Sequence, residues 1–386
     1  MRVKLWPTFR WLGGDYRTSI VARVFSCPDR PEARHLLAVD LARGIGAIAI
    51  LFWHYQHFLA RGIDPAGSLP IEQQPLFAVF GLLYRHGDSA VQFFWLVSGF
   101  VFAATYCGRN VSAGAFARAR LARLYPLHLV TLIVVAVLQF TSLCLLGRTQ
   151  IYPNNDAYHF ILNLFFASSW GLERGLSFNG PIWSVSVEIL VYAVFWLCLR
   201  RIFACGIALP LGIAAVALIV RTAAPPGDLK QISSCFAHFY VGVATYVAYR
   251  MVENRPRALF SVGTLLAVVG VTAVQVPGPA TTTGMILLLN AMLILVCAAE
   301  ASAHRYRMTR HLERLRWIGD NSYGTYLWHV PIQILALIVL DRLRIDHEIA
   351  RKPLFLAGFL AATMSVARLS YVYVERPIRN RLRAPA

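Results

Sequence analysis

Residues 40–60 read Asp40-Leu-Ala-Arg43-Gly-Ile-Gly-Ala-Ile-Ala-Ile-Leu-Phe-Trp-His54-Tyr-Gln-His57-Phe-Leu-Ala60. The stretch is apolar and long enough to cross a bilayer as a helix, which needs about 20 residues. Eleven residues at about 100° each return Arg43 and His54 to one helix face, about 16 Å apart along the axis. A guanidinium near one membrane surface and an imidazole deep in the hydrocarbon is a costly arrangement. Ionisable groups inside a membrane mark a functional site by default.

Nine similar apolar stretches follow. The expected spans are 42–60, 88–107, 124–146, 183–200, 205–221, 232–249, 258–276, 281–299, 322–341 and 353–374. Of the 386 residues, 57% are hydrophobic and 15% charged, against about 25% charged in a soluble domain. The fold class is therefore all-α, a polytopic integral membrane protein of about ten transmembrane helices. With both termini cytoplasmic, Lys and Arg of the inner loops and tails far outnumber those of the outer loops, as the positive-inside rule requires. The formal charge of +18 thus reports topology and not nucleic-acid binding. Part of it suits anionic membrane lipids or an anionic cosubstrate.

Three regions divide the chain: a basic cytoplasmic tail (1–38), a transmembrane domain (39–377) and a basic cytoplasmic tail (378–386). The first 34 residues lack an apolar core and a cleavage site, so they do not read as a secretory signal. An interfacial helix around Trp6 to Trp11 fits their composition. Residues 61–87 and 147–182 form two outer loops. Within the second, 158–170 is too short to span and reads as a re-entrant or interfacial helix. The seven cysteines are scattered without a Cys-x-x-Cys pair, so free thiols and no metal site are expected.

The polar residues sort by depth. His54 lies in the outer half of the first span. Glu188 lies near the start of the fourth, in Trp183-Ser184-Val-Ser186-Val-Glu188. At similar depth the carboxylate could orient the imidazole and raise its basicity, although either group could also serve an interhelical hydrogen bond. At the inner surface Arg120 and Arg123 are neighbours on a helix. With Arg43 they suit phosphate, which guanidinium binds in a bidentate way; a topology anchor is the plainer alternative. Tyr326 and His329 share a face of the ninth span. Ser98-Gly99 in the second span allows close helix approach. The pattern suits a molecule with an anionic head held inside and a reactive end inside the membrane. Coenzyme A has that shape, and His54 would be the general base on an acceptor hydroxyl.

These motifs resemble the membrane-bound acyltransferase-3 family, the O-acetyltransferases of O-antigen, exopolysaccharide and nodulation factor. The likeness runs along nearly the whole chain after residue 36. It rests on Asp40-x-x-Arg43 with ten residues before His54, Phe93-Phe94-Trp95 through Ser98-Gly99-Phe100, and Arg120-x-x-Arg123 with Pro126. It rests also on Trp183-Ser184-x-Ser186-x-Glu188 with Tyr192, on Ser322-Tyr323-x-x-Tyr326-x-x-His329-x-Pro331, and on Glu375-Arg376-Pro377. Gln92 stands where the family often has Asp. The resemblance implies a multi-pass enzyme of the bacterial cytoplasmic (inner) membrane. It would transfer an acyl group, acetyl above all, from acyl-CoA to a hydroxyl of a cell-envelope or exported carbohydrate. His54 and Glu188 are then the catalytic candidates. Arg43, Arg120, Arg123, Tyr326 and His329 would bind the cosubstrate, and Trp183, Ser186 and Ser98 the substrate, with no metal. A proton-coupled transporter using the intramembrane His and Glu and a scaffold whose polar groups specify packing are the competing readings.

Overall fold

A computed structural model describes residues 36–59, 71–253, 255–305 and 309–383. The expected helix at Trp6 to Trp11 lies outside the described residues. Among those described, every regular element is a helix and no strand occurs. In chain order the helices are α1 (Leu37–His54), α2 (Phe77–His86), α3 (Ser89–Tyr106), α4 (Ala113–Leu146) and α5 (Ala157–Leu164). There follow α6 (Trp183–Ala204), α7 (Ala208–Ala223), α8 (Asp228–Val252), α9 (Pro256–Val274) and α10 (Pro279–Arg305). The last four are α11 (Thr309–Asp320), α12 (Ser322–Arg342), α13 (Pro353–Ser370) and α14 (Arg376–Arg383). The protein is an all-α polytopic membrane protein. Among the described residues eight helical segments are long and apolar enough to cross a membrane.

The other two expected spans are also helical but differ in kind. The 16-residue α7 is apolar and short. The 25-residue α8 carries Ser233, Ser234, His238 and Thr245, all buried within the protein. Its polarity reflects contact with neighbouring helices and not with lipid. Gly99 of α3 faces the Phe239 carbonyl, and Gly242 of α8 faces the Leu96 carbonyl. Any Cβ at either glycine would overlap that backbone, so the two helices meet main chain to main chain. The same device joins α1 to α11. A Cβ on Gly44 would lie 2.6 Å from the Ile318 carbonyl oxygen, and one on Gly319 2.5 Å from that of Asp40.

Helix ends show why the functional residues sit where they do. The N-terminus of α1 is covered by Glu300 of α10, whose carboxylate accepts from the Ala38 N–H at 2.5 Å, satisfying one of the donors a helix start leaves open. At the other end the helix tightens into a 3₁₀ turn, Tyr55–Phe58. The His54 carbonyl there accepts from Gln333 Nε2 of α12 at 2.8 Å. Pro331 within α12 has no N–H, which orphans the carbonyl four residues back; that carbonyl, Leu327 O, accepts from Asn179 Nδ2 at 2.9 Å. A long α4 starts at an N-cap, Ser112, whose hydroxyl accepts from Ala115 N–H, and closes on Gly147 at φ +69°, where glycine carries no penalty.

Two expectations about the loops change. The stretch 61–87 contains α2, whose Tyr84 packs against Phe52 of α1. Residues 158–170 hold nearly all of the eight-residue α5, which ends at Leu164 and is followed by an irregular segment. That segment turns into the protein: Phe178, Asn179, Pro181 and Ile182 are buried. Cys107 is disulfide-bonded, a departure from free thiols throughout, while Cys144, Cys198, Cys205, Cys235 and Cys297 are free.

Candidate active site

Two polar regions face each other across α12. The first is a cleft of about 800 Å³, its open mouth included, between α1, α3, α4, α6 and α12. Arg43, Arg120 and Arg123 line it together with Ser98, Glu188 and Tyr192. The 34-residue α4 begins eleven residues before the expected span, so both of its arginines ride one continuous helix. Arg120 stacks over the Phe102 ring at 4.6 Å and the Tyr106 ring at 5.7 Å, which fixes the guanidinium without spending its hydrogen-bond donors. Arg43 Nη1 reaches Asp40 Oδ1 only at 3.4 Å. Glu188 faces Ser98 and Tyr192 and feels the charges of Arg123 and Arg43; its Oε1 is buried without a hydrogen-bond partner. Three guanidiniums and one carboxylate leave the cleft cationic, the charge that an anionic ligand requires.

The second region is a row of imidazoles. The ring of His54 is 5.4 Å from that of His57 and 4.8 Å from that of His329. His54 Nδ1 lies 3.3 Å from the Ile50 carbonyl oxygen. His329 Nδ1 lies 2.6 Å from the Tyr326 carbonyl oxygen. A carbonyl only accepts, so each imidazole donates through Nδ1–H and keeps its lone pair on Nε2. Among the described residues His54 Nε2 has no hydrogen-bond partner, and His329 Nε2 is buried without one. Two neutral imidazoles with bare lone pairs can take a proton from a hydroxyl.

Tyr326 joins the two regions. Its ring lies 5.9 Å from His329 and lines the arginine cleft. Its hydroxyl donates to Pro181 O at 2.6 Å and lies 2.8 Å from Ser184 Oγ. Those contacts tie the first turn of α6 to α12, one helical turn from His329.

The structure brings Arg43, Arg120, Arg123, Ser98, Tyr326 and Glu188 to one cleft, and His54 to His329. It does not bring Glu188 to His54: neither a hydrogen bond nor an ion pair links them. The expectation had α6 start at the outer surface. The turn before it, Gly180–Ile182, is buried in the protein, and Glu188 lines the cleft with the arginines. His329 likewise faces His54 and not the arginines. The expected substrate contacts also divide. The Ser186 hydroxyl accepts from Ser169 N–H at 3.1 Å and so holds the loop. Trp183 packs edge-on against Trp95. Reading the chain alone placed Ser184 in a motif without a role and missed Gln333, because their partners lie far away in sequence. The proline at 331 was the available signal that a side chain must supply Leu327 O with a donor. Among the described residues no group of three or more His, Cys, Asp or Glu could hold a metal ion.

A sequence profile described as "Acyltransferase domain" matches residues 36–372. Acyltransferase MdmB of Streptomyces mycarofaciens is 28% identical over 294 residues, 68% of this chain and 74% of MdmB. Protein 2 in picA locus of Rhizobium radiobacter is 30% identical over 208 residues, 50% of this chain and 97% of that protein. Peptidoglycan O-acetyltransferase OatA of Listeria monocytogenes is 45% identical over 67 residues, 17% of this chain and 10% of OatA. No solved structure matches.

Proposed function

The chain belongs to the acyltransferase domain family, and from that premise we propose that it moves an acyl group, acetyl above all, from acyl-CoA to a hydroxyl of a carbohydrate. The observation that carries this reading is the division of labour along α1: a cationic cleft at Arg43 and a lone-pair-bearing imidazole at His54, about 16 Å further along the helix. Phosphates would be held by Arg43, Arg120 and Arg123, with the pantetheine arm running past Tyr326 so that the thioester meets His54. Glu188 occupies the arginine cluster in the absence of donor and limits the mutual repulsion of three buried cations.

In the reaction the acceptor oxygen attacks the thioester carbonyl while His54 Nε2 takes its proton. The tetrahedral intermediate collapses, the C–S bond breaks, and the thiolate leaves with the proton that the imidazole returns. Among the described residues no carboxylate pairs with His54, so the imidazolium is costly in this setting and must be brief. His329, 4.8 Å away ring to ring, is placed to share its proton. The carbohydrate acceptor is supported by the name of the relative OatA, and a bacterial inner membrane by the resemblance of the chain to envelope O-acetyltransferases.

The test is acyl-CoA turnover by purified protein in nanodiscs against a panel of glycans. Wild type should release CoA and esterify a glycan, whereas His54→Ala should bind CoA and transfer nothing. Equal activity in wild type and His54→Ala, or proton flux through His54 without any acyl donor, would end the enzyme reading of this site.

A further inference from the structure

Beyond the arginine cleft lies a second cavity of about 1360 Å³, its mouth included. Arg43, Arg123, Ser322 and Tyr323 line both, so the two spaces adjoin. Its outer wall comes from α11 and from the segment ending in α14, which the chemistry above leaves unused. Arg316 and Asp320 stand on one side, and Glu375 and Arg379 on the other. The close approach of Gly44 and Gly319 is what sets α11 against α1 and brings Arg316 within the same wall as Arg43.

The charges of this wall are mixed. Four arginines (43, 123, 316 and 379) face Asp40, Asp320 and Glu375. Among the described residues no carboxylate lies at ion-pair distance from Arg379, although Glu375 feels its charge, and its Nη2 donates to the Tyr371 hydroxyl at 3.4 Å. Arg316 meets Asp320 only at 3.6 Å with half its side chain exposed, a weak pair. Glu375 accepts from the Ser370 hydroxyl at 3.4 Å. Inorganic phosphate would gain from the guanidiniums but lose against three carboxylates. A ligand that carries phosphates together with hydrogen-bond donors gains from both. The volume is also far more than a lone phosphate fills.

We propose that this cavity is the nucleotide subsite: it takes the adenosine 3′,5′-diphosphate end of the donor, with Arg379 and Arg316 on the ribose 3′-phosphate and the carboxylates accepting from the adenine amino group and ribose hydroxyl. The inference rests on acyl-CoA being the donor. It predicts that the 3′-phosphate, remote from the chemistry, contributes to affinity through two residues on the last helices of the chain.

The experiment compares CoA, 3′-dephospho-CoA and pantetheine by calorimetry on the full chain in phosphatidylcholine nanodiscs. Wild type should bind CoA at least tenfold more tightly than dephospho-CoA. Arg379→Gln should weaken CoA about tenfold or more, the usual scale for a charge-assisted bond, and leave dephospho-CoA within about twofold. That unchanged affinity also shows that the variant is folded, and Arg316→Gln provides an independent second variant. Equal binding of CoA and dephospho-CoA by wild type would overturn the subsite. So would equal losses for both ligands in the two variants, or loss of CoA binding on adding phosphatidylglycerol, which would assign the arginines to a lipid headgroup. A wild type that binds no CoA at all would instead overturn the donor reading on which the subsite depends.

Discussion

Removing the charge of Glu188 should tighten donor binding. The carboxylate shares the cleft with Arg43, Arg120 and Arg123, so Glu188→Gln raises the formal charge of that wall by one unit. Taken as a cube, a cleft of about 800 Å³ is about 9 Å across. One unit charge acting on a phosphate at about 9 Å, in an effective dielectric of about 20, contributes about 1.8 kcal/mol. That is about 20-fold in affinity, and solvent at the open mouth could halve the energy and leave about fivefold. Titration of CoA into purified wild type and Glu188→Gln measures it, at two ionic strengths because the gain should shrink with salt. Unchanged or weaker CoA binding would refute the electrostatic argument. A fall in kcat at unchanged affinity would return Glu188 to the role of orienting His54, which the geometry does not support.

His329→Gln should lower kcat by about 10²-fold, the low end for loss of an acid–base partner, with KM for acyl-CoA unchanged; an equal rise in KM would make His329 a donor ligand. Gly99→Val should lower the melting temperature sharply, because its side chain meets the Phe239 backbone and backbone cannot yield as a side chain can. Gly358→Ala, with nothing within 4 Å, should hold or raise it, and the pair can be read by fluorescence-detected size exclusion after heating. Glu173 lies in the irregular segment before α6. Burial, reinforced by Asp228, pushes its carboxyl up to about 7 despite the hydrogen bond from Ser177. The folded state therefore holds that proton more tightly than the unfolded chain, and stability should fall as pH rises from about 4.5 to about 7. Glu173→Gln should flatten the slope of melting temperature against pH, and an unaltered slope would remove Glu173 as its source.

Much of the site could be read along the chain because its logic is helical. Arg43 and His54 share a face through a period of 3.6, and Arg120 and Arg123 are neighbours for the same reason. Long apolar stretches demand helices, since a bilayer leaves no other way to satisfy the backbone. Positions along one helix, and the existence of the helices, were therefore determined by sequence alone. The depth of one helix against another was not. Glu188 looked level with His54 only on the assumption that α6 starts at the membrane surface. The buried turn at 178–182 is tied to α12 through Tyr326, Ser184 and Pro181, and with α6 packed this way the carboxylate shares its cleft with the arginines. Pairings such as His54 with His329, or Arg316 with the wall of Arg43, also come only from the tertiary structure. They depend on which glycines let backbones touch and which side chains satisfy carbonyls orphaned by proline and by helix ends, and those partners lie hundreds of residues apart.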